Sequence, residues 1–210
     1  MKRGFTLIEL LVSVGIFAIV MTVALGALLS ISAADKKAQS TKTVMDNLNF
    51  ALESMSRTIR TGLYYHCGTS NISGTELPPQ DCSSSSGDTF FVFKANEATT
   101  PYTVYCLSGT TIWRLKTSSV GGVSTSCGST PAGYLSITAP EVKIESLKFY
   151  TIGSLPYPSG GSSACASPPA GYDCMQPRVV MTVSGYVEVG AAGKSPFNIQ
   201  TTVTQRLYDQ

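Results

Sequence analysis

The sequence predicts an α+β protein, with one long amino-terminal helix followed by an antiparallel β-sheet domain. Three observations carry this expectation. Residues 10–34 hold no charged side chain. Apolar residues then recur at spacings of three and four as far as Gly62. Beyond Gly62, short β-branched and aromatic runs alternate with Ser-, Gly- and Pro-rich connections.

The helix is expected to begin near Phe5 and to stay apolar to about Ile31, long enough to cross a hydrocarbon core of roughly 30 Å. Gly15 and Gly26 interrupt the run, either to permit close helix packing or to lend the helix flexibility. From there Ala38, Val44, Met45, Leu48, Ala51, Leu52, Met55 and Ile59 mark one face. Lys36, Lys37, Gln39, Asp46, Asn47, Glu53 and Arg57 fall mainly between them, so the second half reads as amphipathic. Gly62 is a natural stop. The expected organisation is a leader at residues 1–4, an apolar helix at 5–34, an amphipathic helix at 35–62 and a β-rich domain at 63–210.

Residues 67–87 read as a surface loop. The run Thr-Phe-Phe-Val-Phe-Lys at residues 89–94 reads as a buried strand. Residues 103–107 and 111–115 flank Ser108-Gly109-Thr110 and read as a hairpin. Residues 120–133 return to loop composition, residues 134–138 and 142–150 are strand candidates, and residues 153–176 form a second long loop. Residues 178–189 and 197–207 close the chain as a hairpin across residues 190–193. This gives six or seven strands and no internal repeat.

The chain has 210 residues, a net charge of +2 and only 13% charged residues, so no strong field points to nucleic acid or an acidic substrate. Lys2 and Arg3 precede the apolar run and favour the cytoplasmic side, which puts everything after Ala34 across the membrane. That side is oxidising, and the six cysteines suit disulfides there. An ordinary signal peptide cut after Ser32-Ala33-Ala34 is the alternative. Its apolar region is typically about 7–15 residues, and the run here is longer and carries Glu9.

Glu9 is the residue that needs a reason. A lone acid near the start of a membrane-length helix costs roughly 2.5–3.5 kcal/mol on insertion scales, and such a residue calls for a partner. The stretch Lys-Arg-Gly-Phe-Thr-Leu-Ile-Glu-Leu-Leu-Val at residues 2–12 resembles the class III signal of type IV pilins and type II secretion pseudopilins. The resemblance is close over about the first thirty residues. It implies that prepilin peptidase cuts between Gly4 and Phe5 and methylates the new amine of Phe5. It also implies that Glu9 pairs with the terminal amine of a neighbouring subunit and sets its register, since only one axial stagger satisfies both charges. Major pilins often carry a helix-breaking Pro where Gly26 stands here. Looser similarities, at residues 50–60 with the following Cys67-Gly68 and at residues 200–206, point toward the minor pilins called PilW and the J-type pseudopilins.

The cysteines are expected to pair as nearest neighbours, Cys67 with Cys82, Cys106 with Cys127, and Cys165 with Cys174, out of 15 possible connectivities. A zinc site using His66-Cys67 is the rival reading, and no Cys-x-x-Cys spacing supports it. His66, the only histidine, reads as a surface or cap residue. Phe90, Phe91, Phe93, Trp113, Phe149 and Tyr150 read as core, and Tyr64 with Tyr65 as the seat of the helix end against the sheet. Asn71-Ile72-Ser73 is a formal glycosylation sequon. No nucleophile elbow, phosphate loop or dinucleotide fingerprint occurs, and no cofactor or metal is expected.

The expected function is therefore structural rather than enzymatic: a minor pilin or pseudopilin held in the cytoplasmic membrane and assembled into a filament. The expected partners are prepilin peptidase, other pilins, an inner-membrane assembly platform and membrane lipid. A tip module binding DNA, a surface or a secretion substrate is the second class, and a major pilin or a secreted soluble domain beginning at Asp35 the least expected. Near-neutral charge argues against nucleic acid as a ligand.

Overall fold

The computed structural model describes residues 6–70, 72, 77–82, 86–95, 99–121, 127, 133–156, 165–167, 170–188 and 193–206. One helix, α1 (Leu7–Arg60), precedes eight strands. These are β1 (Leu63–Cys67), β2 (Phe90–Lys94), β3 (Tyr102–Ser108), β4 (Thr111–Thr117), β5 (Leu135–Ser136), β6 (Val142–Ile152), β7 (Arg178–Glu188) and β8 (Lys194–Thr204). The chain divides into two compact units, Met1–Thr43 and Val44–Gln210. The first is helical from Leu7, and its side chains are exposed from residue 6 to residue 40.

In the second unit the strands form two antiparallel sheets instead of the single sheet expected. One has the order β1-β2-β3-β4-β5, the other β6-β7-β8. They meet along β6. Asp88 and Phe149 exchange backbone hydrogen bonds at 3.0 and 2.7 Å, the Ile144 N–H donates to Thr110 O, and the Cys82 N–H to Thr151 O.

The main core lies where the carboxyl-terminal half of α1 meets both sheets. Val44, Leu48, Leu52, Met55 and Ile59 are buried at spacings of three and four residues, together with Tyr65, Phe91, Phe93, Tyr105, Phe149, Met181 and Val203. Ala38, predicted on this stripe, is exposed. Phe91 links the aromatic rings, lying 5.7 Å from Tyr65, 5.6 Å from Phe93 and 5.1 Å from Phe149. A second cluster occupies the opposite face of the five-stranded sheet. There Phe90, Val92, Val104 and Cys106 are covered by Leu77, Val120 and Tyr134 from the connections. Leu77 and Val120, from segments that read as loops, thus help to cover a hydrophobic layer. Trp113 and Tyr150, expected in the core, are only half-buried.

The expectation overlooked β1. Its alternation is broken by a bulge between Leu63 and His66, where Tyr64 takes a left-handed φ of 54°. The ring of Tyr64 is therefore 54% exposed, while Tyr65 turns inward and donates its hydroxyl to Ile59 O at 2.6 Å. Only the second of the pair seats the helix end. Burial pushes the Tyr65 phenol well above its ordinary value and keeps it a donor. The end of α1 is further satisfied by Gly62 N–H to Ile59 O and by Arg206 N–H to Arg60 O. His66 is fully buried, contrary to the surface reading, with Nδ1 2.7 Å from Pro78 O.

β8 starts three residues earlier than predicted and includes Pro196. β5 is reduced to two residues, because Thr138 leaves the ladder and its Oγ1 accepts the Ile112 N–H. In β7, Gly185 stands opposite Ile144 at a bulge in β6, and a Cβ there would overlap the Lys143 carbonyl. Backbone cannot yield as a flexible side chain can. Gly185→Ala should therefore cost about 2 kcal/mol, on the scale of overpacking. A denaturation midpoint equal to that of the unaltered protein would count against it.

Three disulfides are present: Cys67–Cys82, Cys106–Cys127 and Cys165–Cys174, with Cα separations of 5.3, 6.3 and 5.7 Å. The first ties β1 to the segment leading to β2, across 15 residues. Closing a loop of that length restricts the unfolded chain by about 3 kcal/mol in the chain-entropy account. Paired Cys67→Ser and Cys82→Ser changes should lower stability by about that amount in urea titrations. A loss under about 1 kcal/mol would show that the unfolded chain is already constrained there.

Candidate functional site

The amino-terminal helix is the part of this chain with chemistry to explain. Gly4 and Phe5 lie outside the described residues. Thr6 is the first described residue, and α1 begins directly after it. The Thr6 hydroxyl accepts the Glu9 N–H at 3.4 Å, and its carbonyl accepts the Leu10 N–H at 3.2 Å. Thr6 is thus the N-cap, and Glu9 stands three residues after it, where a capping box places its acid. This Thr-x-x-Glu spacing was available in the sequence and was not used. A carboxylate in the first turn also interacts favourably with the positive end of the helix dipole.

After Glu9 the helix is apolar around its whole circumference. Leu10, Leu11, Val14, Phe17, Val20, Leu25 and Ile31 are all more than half exposed. Ser13 and Thr22 turn their hydroxyls back to the carbonyls of Leu10 and Ile19 and so present no free donor. Nothing within 4 Å would meet a Cβ on Gly15 or Gly26. The segment is long and apolar enough to cross a membrane. Such a surface is stable only against lipid or against other apolar helices.

The other predicted residues lie in the second unit. Cys67 and Cys82 line a polar cleft of about 270 Å³ with Gly68, Ser70, Gln80, Asp81 and Asp88. Its polar groups are largely engaged by the fold. The Asp81 carboxylate accepts the N–H groups of Gly153 and Ser154 and the Ser154 hydroxyl. Asp88 accepts the Phe90 N–H, and the Gln80 amide donates to Cys67 O and Ser70 Oγ. Cys106 is buried on β3, whereas Cys127, Cys165 and Cys174 are partly exposed in connections. Among the described residues no three His, Cys, Asp or Glu side chains are grouped to hold a metal ion. Cys67, the proposed zinc ligand beside His66, is bonded to Cys82 instead.

Residues 1–25 match the model of the prokaryotic N-terminal methylation motif. That motif is the signal found on type IV pilins and pseudopilins, and it implies processing by prepilin peptidase and assembly with other pilins. No curated protein and no solved structure matches the chain significantly. The motif and the apolar helix together fit a pilin anchored in the inner membrane.

Proposed function

We propose that this chain is a structural subunit of the minor pilin or pseudopilin type, without enzymatic activity. It is inserted in the cytoplasmic membrane with its amino terminus inside, cut between Gly4 and Phe5, and passed by an inner-membrane assembly platform into a filament or its priming tip. The observation that carries this is the motif at residues 1–25 on a helix whose apolar surface is entirely uncovered. Lipid covers that surface before assembly, and the helices of neighbouring subunits cover it afterwards. The long connections and three disulfides support a minor rather than a repeating subunit, in keeping with the looser PilW- and J-type similarities.

Mass spectrometry of the amino terminus, on protein taken from membranes, is the direct test. An N-methylated Phe5 is expected. An intact Met1 would leave a plain membrane anchor, and a start at Asp35 would make the product a secreted soluble domain; either result sinks the proposal.

A further inference from the structure

β8 is an edge strand, and its outer edge is open. The Gln205 N–H donates to Pro177 O at 2.9 Å, which fixes the parity of the β7–β8 ladder. In an antiparallel pair, hydrogen-bonded and non-hydrogen-bonded residues alternate. The odd-numbered residues of β8 therefore face β7, and the N–H and C=O groups of Asn198, Gln200, Thr202 and Thr204 point away from the sheet. The same parity follows from the other side of the sheet. Phe149 directs its backbone to Asp88, so Met181, opposite Phe149, directs its own to Thr201. Pro196 falls on the outward set, where its missing N–H costs the ladder nothing.

The fold covers the free edges of β1 and β6, while β5, the other outer strand, has only two residues. β6 is capped by Thr110, Asp88 and the segment at Cys82, and Gln80 pairs with the outer side of β1 through Tyr65 and Cys67. β8 has no such cover among the described residues. Edge strands are normally blunted by charge, yet residues 195–205 carry none. At the amino-terminal end of β8 Lys194 stands opposite Glu188, whereas at the carboxyl-terminal end the charge is of one sign. Arg206 lies diagonally across from Arg178 on the exposed face, and its backbone is bonded to Arg60. None of these three arginines has an ion-pair partner among the described residues.

We infer that the outer edge of β8 receives an extended strand from a different polypeptide, antiparallel to β8. The incoming strand is uncharged along its length and acidic at its amino-terminal end, where it meets Arg178 and Arg206. A second copy of this chain fits less well. Antiparallel overlap of two β8 strands sets Lys194 against Arg206, and parallel overlap sets Arg206 beside Arg206. The inference goes beyond the filament reading and stands whether or not Phe5 is methylated.

The test uses the full chain in detergent micelles and two capped peptides, Asp-Thr-Val-Thr-Val-Thr-Val-Thr and the same peptide beginning with Lys. Residue-resolved amide exchange is the readout. The Asp peptide should slow exchange at Asn198, Gln200, Thr202 and Thr204 and leave the odd-numbered amides of β8 unchanged. The Lys peptide should bind about fivefold more weakly. Gln200→Pro removes an outward donor as Pro196 already does, so it should leave the thermal midpoint in place and abolish the slowing. If that variant unfolds early, Gln200→Lys, which blunts the edge without touching the backbone, should weaken binding instead. Outward amides unaffected at about 1 mM peptide overturn the inference. So does slowing that survives both variants, or equal binding of both peptides. Slowing that grows with protein concentration alone assigns the edge to a second copy and also overturns it.

Discussion

Phe149→Ala should lower the unfolding free energy by about 3–5 kcal/mol, the range for emptying a buried aromatic site. The ring is fully buried and stacks on Phe91 at 5.1 Å with an interplanar angle of 20°. Two features put this position toward the upper end. Phe149 belongs to β6, the strand along which the sheets meet, and its backbone holds the Asp88 bridge between them. A cavity here therefore lies between two sheets that are each fixed by their own ladders and cannot close together to fill it. The aromatic pair adds about 0.5–1.5 kcal/mol beyond buried area, and the corresponding double cycle with Phe91→Ala should return a coupling of that size. Trp113 is half-buried and the only tryptophan, which makes its fluorescence a suitable probe of urea unfolding. A loss below about 1 kcal/mol would show that the site collapses, and that β6 is not the rigid joint its hydrogen bonds imply.

The helix was legible because burial imposes a period on it. Leu48, Leu52, Met55 and Ile59 all face one core, so their spacing survives in the sequence. The apolar half was legible for the opposite reason: with no face hidden, no charge occurs anywhere around it except the acid at its start, and the Ser13 and Thr22 hydroxyls turn back to the helix. Strands β2, β3, β4, β6 and β7 were legible from apolar or alternating runs. β1 was not, because a bulge with a positive φ at Tyr64 puts neighbouring rings on opposite sides of the expected pattern. His66 was misread for a related reason. Its Nδ1 lies 2.7 Å from the Pro78 carbonyl while Nε2 is buried without a partner among the described residues, and nothing local in the sequence signals that carbonyl. The start of β8 was misplaced because proline is a breaker on every strand except one whose N–H already points away from the sheet. How the two sheets meet depends on contacts of Asp88 and Thr110 with β6 that are distant in sequence, and no local pattern encodes them.

In the candidate site, the sequence marked Glu9 by its cost and by the resemblance of residues 2–12, and the structure adds that Thr6 caps its turn. From the proposed function, Glu9→Gln should leave membrane insertion and methylation of Phe5 intact while incorporation into filaments falls at least about tenfold. Insertion is not the step that needs the charge. Replacing the acid by a neutral amide does not raise the insertion cost, so the variant should remain in membranes at least as fully as the unaltered protein. Assembly is different. A terminal amine buried among apolar helices without its carboxylate loses about 3–5 kcal/mol, and every 1.4 kcal/mol is a factor of ten. Gln preserves shape and hydrogen bonding, so a loss with Gln as severe as with Ala isolates charge as the cause. Quantifying membrane-bound against filament-bound protein by immunoblot, with the amino terminus read by mass spectrometry, separates the steps. Filaments that take up Glu9→Gln at the usual level would mean that Glu9 serves the helix turn above Thr6, and that subunit register is set elsewhere along the helix.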